Sequence, residues 1–146
     1  MLFRSGVLSF DSSANAVATN NATIILSGSG SVLRTYTGAS SSYQSLEQTL
    51  TTNNGTLEIL GNRGFSASND LANNGTLVLG GGTFSEHSIT TGSGSVIAGT
   101  GTFTTTSGGI TIGSGMSLSP GIATTGSYVG TLALGPGTPL DRKSVV

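Results

Sequence analysis

Apolar residues alternate with polar or small residues in several short segments of the chain. The clearest pairs are Leu57/Ile59, Leu77/Leu79, Ile110/Ile112 and Leu132/Leu134. Such alternation is typical of half-buried strands, because successive side chains of a strand point to opposite faces. Clusters of Gly and Asn between these segments predict turns. Helix formers are scarce; only residues 43–50 could form a short helix, and a loop is the alternative for this segment.

The alternating segments recur with a period of about twenty residues. Residues 53–59 read NNGTLEI and residues 73–79 read NNGTLVL, while residues 20–26 (NNATIIL) form a degenerate upstream copy. Residues 130–134 (GTLAL) are expected to close the series. Phe65, Phe84 and Phe103 keep a similar interval. A fixed period of this length is typical of stacked repeat folds, in which each unit is too short to bury an apolar face alone.

Stacking these units predicts an all-β fold, a right-handed parallel β-helix (solenoid) with coils of about 19–20 residues. Each coil is expected to hold two strands, the second of which carries the aromatic residue. The phenylalanines then stack in one column, and Asn54 and Asn74 form a ladder of amide hydrogen bonds. Gly55 and Gly75 are expected at positive φ. The alternative is antiparallel pairing, because Asn-Gly between alternating strands is also typical of hairpins.

The repeat domain is expected to span residues 6–140, with an irregular insert at about residues 35–52. The insert separates the first Asn-Asn copy from the second by more than one period. We expect it to form a loop or a distorted coil. In repeat proteins, insertions of this kind often carry the binding surface. A plain linker is the alternative interpretation.

The two ends resemble translated sequencing adapters. Residues 1–5 can be encoded by GTGCTCTTCCGATCT, with GTG as the start codon, and residues 141–146 by GATCGGAAGAGCGTCGTG. Both strings look like the ends of short-read adapters, and they face inward from opposite ends of the chain. We therefore expect the genuine segment, residues 6–140, to be cut from a longer protein.

Charge argues against nucleic acid as a partner. Residues 6–140 contain two basic residues, Arg34 and Arg63, and five acidic ones, so the net charge is −3 and lysine is absent. A nucleic-acid-binding protein needs a basic stripe that neutralises phosphates. Cysteine is absent from the whole chain, which excludes disulfides and cysteine-ligated metals and is compatible with export in an unfolded state.

Candidate catalytic residues are sparse. His87, the only histidine, lies beside Glu86, and one histidine falls short of the three or four ligands that zinc requires. A solvated turn is therefore favoured over an acid–base pair. Asp70, Glu58 and Glu86 could align on one face, as carboxylates do in glycan-cleaving β-helices, but Val78 replaces the acid in the repeat after Glu58. The sequence predicts no enzyme, and no catalytic, cofactor-binding or metal-binding residues.

A sugar-stacking platform is not predicted either. Tryptophan is absent, and Tyr36, Tyr43 and Tyr128 do not form an obvious platform in the sequence. The glycine run at residues 80–82 lacks the lysine of a phosphate-binding loop.

Two segments resemble the passenger region of Gram-negative autotransporters and related β-strand-repeat surface proteins. Residues 117–121 (SLSPG) and 130–137 (GTLALGPG) match an L-S-P-G turn that leads into G-T-L-x-L and a G-x-G turn. Residues 34–40 (RTYTGAS) resemble the T-Y-T-G-x-T element of autotransporter-associated strand repeats. The long spacer between Gly38 and Asn53 departs from this pattern. The resemblance implies a right-handed parallel β-helix outside the cell, joined downstream to an outer-membrane β-barrel.

The expected function is therefore structural or adhesive. The chain is interpreted as a surface-exposed stalk module (an adhesin fragment) of a secreted protein, tethered to the outer membrane of a Gram-negative bacterium. Its loops are expected to contact a host surface, a matrix or a glycan, without a cofactor. The alternative is a glycan-binding or glycan-cleaving β-helix similar to a phage tailspike or a polysaccharide lyase. A third class is a surface repeat protein with a different C-terminal anchor.

An isolated fragment is expected to self-associate through its two uncapped ends, because open strand edges pair with other chains. Residues 6–140 expressed alone should therefore aggregate or form fibres at high concentration. Size-exclusion chromatography with light scattering checks this, and a monodisperse monomer would contradict it.

Overall fold

The computed structural model describes residues 2–3, 6–12, 16–38, 41–121, 131–134 and 140–141, and these are mostly β-strand. Tyr128, Gly130, the predicted turn at residues 135–137 and most of both adapter-like ends lie outside the described residues. Within the described part of the chain, no helix has the length and apolar character to cross a bilayer.

The described elements are fifteen strands and one short helix. In chain order they are β1 Leu2–Phe3, β2 Gly6–Ser12, β3 Thr19–Asn20, β4 Thr23–Ser27, β5 Ser31–Thr37, β6 Ser42–Ser45, α1 Leu46–Thr49, β7 Thr52–Asn53, β8 Thr56–Leu60, β9 Phe65–Ser66, β10 Asp70–Asn73, β11 Thr76–Thr91, β12 Val96–Thr111, β13 Ser117–Pro120, β14 Leu132–Leu134 and β15 Leu140–Asp141.

Twelve of the strands join by parallel pairing into one large sheet, in which three sets of strands can be distinguished. The leucine set contains β1, β4, β8, the first parts of β11 and β12, and β13. The phenylalanine set contains β9, the middle parts of β11 and β12, and β14. The asparagine set contains β3, β7, β10, the last parts of β11 and β12, and β15. The all-β prediction is confirmed.

Equivalent residues of successive repeats pair with each other. Leu57 is in register with Leu77, which is in register with Ile97. The degenerate upstream copy joins them, because Ile24 pairs with Leu57. The predicted parallel register of these copies is therefore confirmed. The hairpin alternative is wrong, since each Asn-Gly turn connects a strand of the asparagine set to one of the leucine set rather than two antiparallel neighbours.

The last predicted copy, residues 130–134, is misassigned. Leu132–Leu134 pairs with residues 101–103 of β12 and so belongs to the phenylalanine set. In the leucine set the corresponding position is taken by Leu118, which pairs with Ile97. The GTL motif alone does not determine the set, because short alternating strands occur in both.

The sequence also missed one strand in each repeat. The asparagine set was not predicted, and Ile110, from the alternating pair Ile110/Ile112, pairs with Ile89 in this set. Its segments in β10, β11 and β12 each carry one fully buried apolar residue beside polar ones (Leu71, Ile89 and Ile110), and β3 and β7 carry no apolar residue. One apolar residue gives no alternation that could mark a strand in the sequence.

The three phenylalanines stack in the core, as predicted. The ring centroids of Phe65 and Phe84 are 4.8 Å apart with an angle of 5° between the planes, and those of Phe84 and Phe103 are 5.4 Å apart at 44°. All three side chains are fully buried. Each burial stabilises the fold by about 2–3 kcal/mol.

Two asparagine ladders run across the repeats. The predicted outer ladder is present: Asn74 Nδ2 donates to Asn54 Oδ1, and Asn54 Nδ2 to Asn21 Oδ1, both at 2.9 Å. The second, inner ladder was not predicted, and its members are Asn20, Asn53 and Asn73. It is buried, with side-chain bonds of 2.8 and 2.7 Å. The inner ladder satisfies polar groups that would otherwise be orphaned in the core.

Gly55 and Gly75 are required for a different reason from the one predicted. Neither has a positive φ. A Cβ on Gly55 would lie 2.2 Å from the carbonyl oxygen of Ala22, and one on Gly75 would lie 2.1 Å from that of Gly55. Close stacking of the turns, rather than a left-handed backbone, excludes a side chain here.

The region of the predicted insert, residues 35–52, contains the end of β5, the strand β6 and the helix α1. β6 pairs antiparallel to β5, which itself pairs parallel to β2. The helix begins after Ser45, whose N–H donates to Gln48 Oε1 at 2.9 Å. Leu46 and Leu50 are buried in the core, so the segment is anchored at this end.

Candidate functional site

Three polar side chains lie in a line across three neighbouring strands. Asp70 is in β10, His87 in β11 and Ser107 in β12. The distance from His87 Nδ1 to Asp70 Oδ1 is 2.6 Å, and from His87 Nε2 to Ser107 Oγ it is 2.5 Å. Ser88 Oγ also donates to Asp70 Oδ1, at 2.5 Å. We call Asp70, His87 and Ser107 the Asp–His–Ser line.

A bulge in β12 brings Ser107 to His87. Glu86 pairs with Thr105, but Ser88 pairs with Gly109, so residues 106–108 lie opposite His87 alone. Extra residues in one strand re-aim side chains and are frequent beside active sites. Gly108 permits the close approach, because a Cβ there would lie 2.3 Å from Ser88 Cβ, and Gly109 has a φ of 74°.

The other two members are held by the register of β10 and β11. Asp70 pairs with Ser88, and the backbone N–H of His87 donates to the carbonyl of Asn69 at 2.8 Å. These two contacts place His87 directly beside Asp70. The backbone therefore positions the histidine independently of its side-chain hydrogen bonds.

The protonation state of Asp70 defines the histidine tautomer. Hydrogen bonds from Ser88 and His87 lower the pKa of Asp70 below its ordinary value of 3.8. An ionised carboxylate only accepts hydrogen bonds, so Nδ1 of His87 must carry the proton that it donates. In the neutral ring Nε2 is then an acceptor, and the Ser107 hydroxyl donates to it.

The Asp–His–Ser line is accessible to solvent. The side chain of His87 is 47% exposed and that of Asp70 is 71% exposed. The interpretation of His87 as a turn residue is wrong, because it lies inside β11. The sequence does hold a signal for the line: its members are separated by 17 and 20 residues, close to the repeat period.

Glu86 lies beside His87 in sequence but points the opposite way, into the core. It is fully buried, and neither carboxyl oxygen has a hydrogen-bond partner among the described residues. Burial, followed by the charges of Asp70 and Glu47, raises its pKa to about 8. With a pKa of about 8, the carboxyl group of Glu86 is mainly protonated at pH 7.

The acidic face expected for a glycan-cleaving enzyme is not assembled. Glu58 is half-buried in the leucine set, whereas Asp70 is exposed in the asparagine set and Glu86 is in the core. The three carboxyl groups therefore do not share the one face on which the alignment expected from the sequence depended.

A second site lies beside the predicted insert. A cavity of about 470 Å³ is lined by Ser29, Val32, Ser45, Glu47, Gln48, Arg63, Gly64 and Ser66. Arg63 and Glu47 form a largely buried ion pair in it. The Arg63 Nε also donates to the carbonyl of Ser31 at 2.9 Å. We call this cavity the insert groove; six of its eight lining residues have polar side chains.

An aromatic pair lies on the hairpin formed by β5 and β6, next to the insert groove. Tyr36 and Tyr43 pack edge to face with centroids 5.4 Å apart, and the guanidinium of Arg34 lies 4.5 Å from the centroid of Tyr43. Arg34 is in register with Ser45 and Tyr36 with Tyr43, so these side chains share the strand face that borders the groove. This pair was not predicted from the sequence, because the two tyrosines meet only through the antiparallel pairing of β5 with β6.

The described residues contain no group of three or more His, Cys, Asp or Glu side chains placed to hold a metal ion. Neither a protein-family model, nor a curated protein, nor a solved structure matches the chain.

Proposed function

We propose that the chain is a stalk segment of a surface-exposed, autotransporter-like protein, built as a right-handed parallel β-helix with coils of about 19–20 residues. The observation that carries the proposal is the stacking of like on like across all three strand sets. Leucine pairs with leucine, phenylalanine stacks on phenylalanine, and asparagine bonds to asparagine.

Such an arrangement suits a stalk because each repeat uses its neighbours for stability. Contacts between adjacent repeats contribute approximately additively, so a rod can be lengthened without redesigning its core. Each coil adds about 4.8 Å, the spacing of adjacent strands. The absence of cysteine is compatible with passage through an export channel before folding.

The location outside the cell and the tether to an outer-membrane β-barrel rest on the resemblance of residues 34–40, 117–121 and 130–137 to passenger repeats. The test is long-read sequencing of the source DNA across both ends of this gene. We expect the downstream frame to read as segments of about ten alternating residues with aromatic girdles, as barrel strands do. A frame that ends in a single apolar helix or a compact acidic domain would contradict the proposal.

A second candidate function, glycan binding, is favoured by the insert groove and the adjacent aromatic pair. Hydroxyl, amide and carboxylate groups in the groove can exchange hydrogen bonds with sugar hydroxyls. Tyr43 is 46% exposed and offers an aromatic surface. Glu47 is neutralised by Arg63, while the guanidinium of Arg34 donates to Ser9 Oγ and lies over the ring of Tyr43. A uronate polymer offers both hydroxyl groups for the groove and carboxylates that a guanidinium can bind.

Binding of oligogalacturonate, measured by isothermal titration calorimetry, tests this function. Tyr43→Ala should weaken binding about tenfold, since an aromatic contact contributes on the order of 1 kcal/mol. Phe10→Ala is the matched control: Phe10 is 43% exposed and lies on the other face of β2 from Ser9, which contacts Arg34. Equal effects of the two substitutions, or no binding by the unmodified protein, would exclude this function but leave the stalk proposal intact.

A further inference from the structure

We infer that Ser107 is a nucleophile for acyl transfer, with His87 as its general base and Asp70 orienting the imidazole, acting on small carboxylic esters at the protein surface. This function goes beyond the proposed stalk and departs from the sequence-based expectation of no catalysis. It rests on the geometry of the Asp–His–Ser line alone.

The geometry meets the requirements for nucleophilic catalysis. The nucleophile must lie within hydrogen-bond reach of a base, and the base must be oriented by a third group. The 2.5 and 2.6 Å distances satisfy both conditions. Such a constellation is recognised by geometry and roles rather than by the order of its residues in the chain.

A purely structural role explains the line less well. The two side-chain ladders elsewhere in the sheet, the inner and the outer asparagine ladder, join identical residues of successive repeats. The Asp–His–Ser line instead joins three different residues that are all exposed, where hydrogen bonds contribute little to stability because water competes. It also depends on a bulge that interrupts regular pairing.

The reaction follows from these contacts. The Ser107 Oγ attacks the carbonyl carbon of the ester while His87 Nε2 takes the hydroxyl proton. Collapse of the tetrahedral intermediate breaks the ester C–O bond, and the leaving alkoxide receives the proton from His87. Water then attacks the acyl-Ser107 ester by the same route, releasing a carboxylic acid. The N–H of the residue after the nucleophile often stabilises the oxyanion, and Gly108 holds that position.

Exposure defines the substrate class. Water reaches Asp70 and His87, so the electrostatic advantage of a dry site is small. The line therefore suits small, activated esters better than substrates that need a deep cleft.

The first experiment uses a fluorophosphonate probe, from which a serine nucleophile displaces fluoride, with mass spectrometry of the intact 146-residue protein. We expect one modified residue, Ser107, and no modification in Ser107→Ala. His87→Gln should slow labelling on the order of 100-fold, the lower range for general-base catalysis. Ser93→Ala, which removes an exposed turn serine, should label normally. Labelling that is absent, spread over many serines, or unchanged in His87→Gln would overturn the inference.

A second experiment measures the reactivity of a nucleophile at position 107 without using an ester substrate. Because the chain has no cysteine, the Ser107→Cys and Ser93→Cys variants each carry a single thiol. A neighbouring imidazole promotes thiolate formation, so iodoacetamide should alkylate the first variant about tenfold faster than the second. Adding His87→Gln should remove the difference. Equal rates in the two variants would overturn the inference, and circular dichroism of each variant verifies that it is folded.

Discussion

The unmodified protein is expected to lose stability as the pH rises from 4.5 to 8, and replacing Glu86 with glutamine should abolish this loss. Burial raises the pKa of Glu86 in the folded state to about 8, whereas its ordinary value is 4.5. Below pH 4.5 both states are protonated and the stabilising effect of the neutral form is fully present. As the pH rises, the unfolded chain releases the proton while the folded protein retains it, so the free energy of unfolding falls. The loss levels off above pH 8.

The expected loss is about 5 kcal/mol in total, at roughly 1.4 kcal/mol for each unit of pKa difference. Urea unfolding between pH 5 and 9 measures it, and Asp70, whose pKa is lowered, stays ionised across that range. Glu86→Gln should flatten the pH dependence. Glu58→Gln, which removes a half-buried carboxylate from the leucine set, should leave the slope in place. A parallel pH dependence in the unmodified protein and Glu86→Gln would show that Glu86 is not the responsible group.

Replacing Asn53 with alanine is expected to destabilise the protein by about 3 kcal/mol, because it leaves buried polar groups without partners. The Asn53 amide accepts from Asn20 Nδ2 and donates to Asn73 Oδ1 and to the carbonyl of Thr76. All three asparagines are at most 2% exposed, so water cannot replace the lost bonds. The midpoint and slope of urea unfolding give the free energy.

The adjacent outer ladder supplies the control. Asn54 makes amide hydrogen bonds of the same kind to Asn21 and Asn74, both 2.9 Å long, but it is exposed. Water can replace those bonds, so Asn54→Ala should cost about 1 kcal/mol or less. If the two alanine variants lose equal stability, burial is not what makes the inner ladder important.

The two ladders and Glu86 show how this core treats polar groups. Inner asparagines replace side-chain hydration with bonds to the next repeat, so their burial is compensated. Where the inner ladder ends, Thr91 takes its place, donating to the carbonyl of Thr111 and accepting from the N–H of Gly113. Glu86 has no such partner in the part of the chain that the structure describes, and it is accommodated by remaining neutral. The side-chain hydrogen bonds of the ladder can continue in each added repeat, whereas the buried carboxyl group of Glu86 makes stability depend on pH.

Much of the sheet could be predicted from the sequence because its period is carried by large or distinctive side chains. Phe65, Phe84 and Phe103 stack in the predicted order, and the two NNGTL copies pair in the predicted register. Alternation and recurrence are properties of the chain itself. They define which residues are equivalent before any fold is known.

The candidate sites could not be predicted in the same way. The bulge that brings Ser107 to His87 depends on how β12 matches β11, and the pairing of Tyr36 with Tyr43 depends on a hairpin that departs from the repeat. His87 and Glu86 are neighbours in sequence, but strand geometry sends one outward and the other into the core.

The sequence by itself determined the period, the all-β class and the residues that stack, because each repeat must bury its apolar side chains against the equivalent side chains of the next. Only the tertiary structure decided the third strand set, the inner asparagine ladder, the neutral Glu86 and the Asp–His–Ser line. These features depend on which backbone groups lie opposite one another and on what water can reach. The opposing backbone groups and the accessibility to water cannot be derived from the residue order alone, since a local deviation from the repeat, such as a bulge of a few residues, changes both.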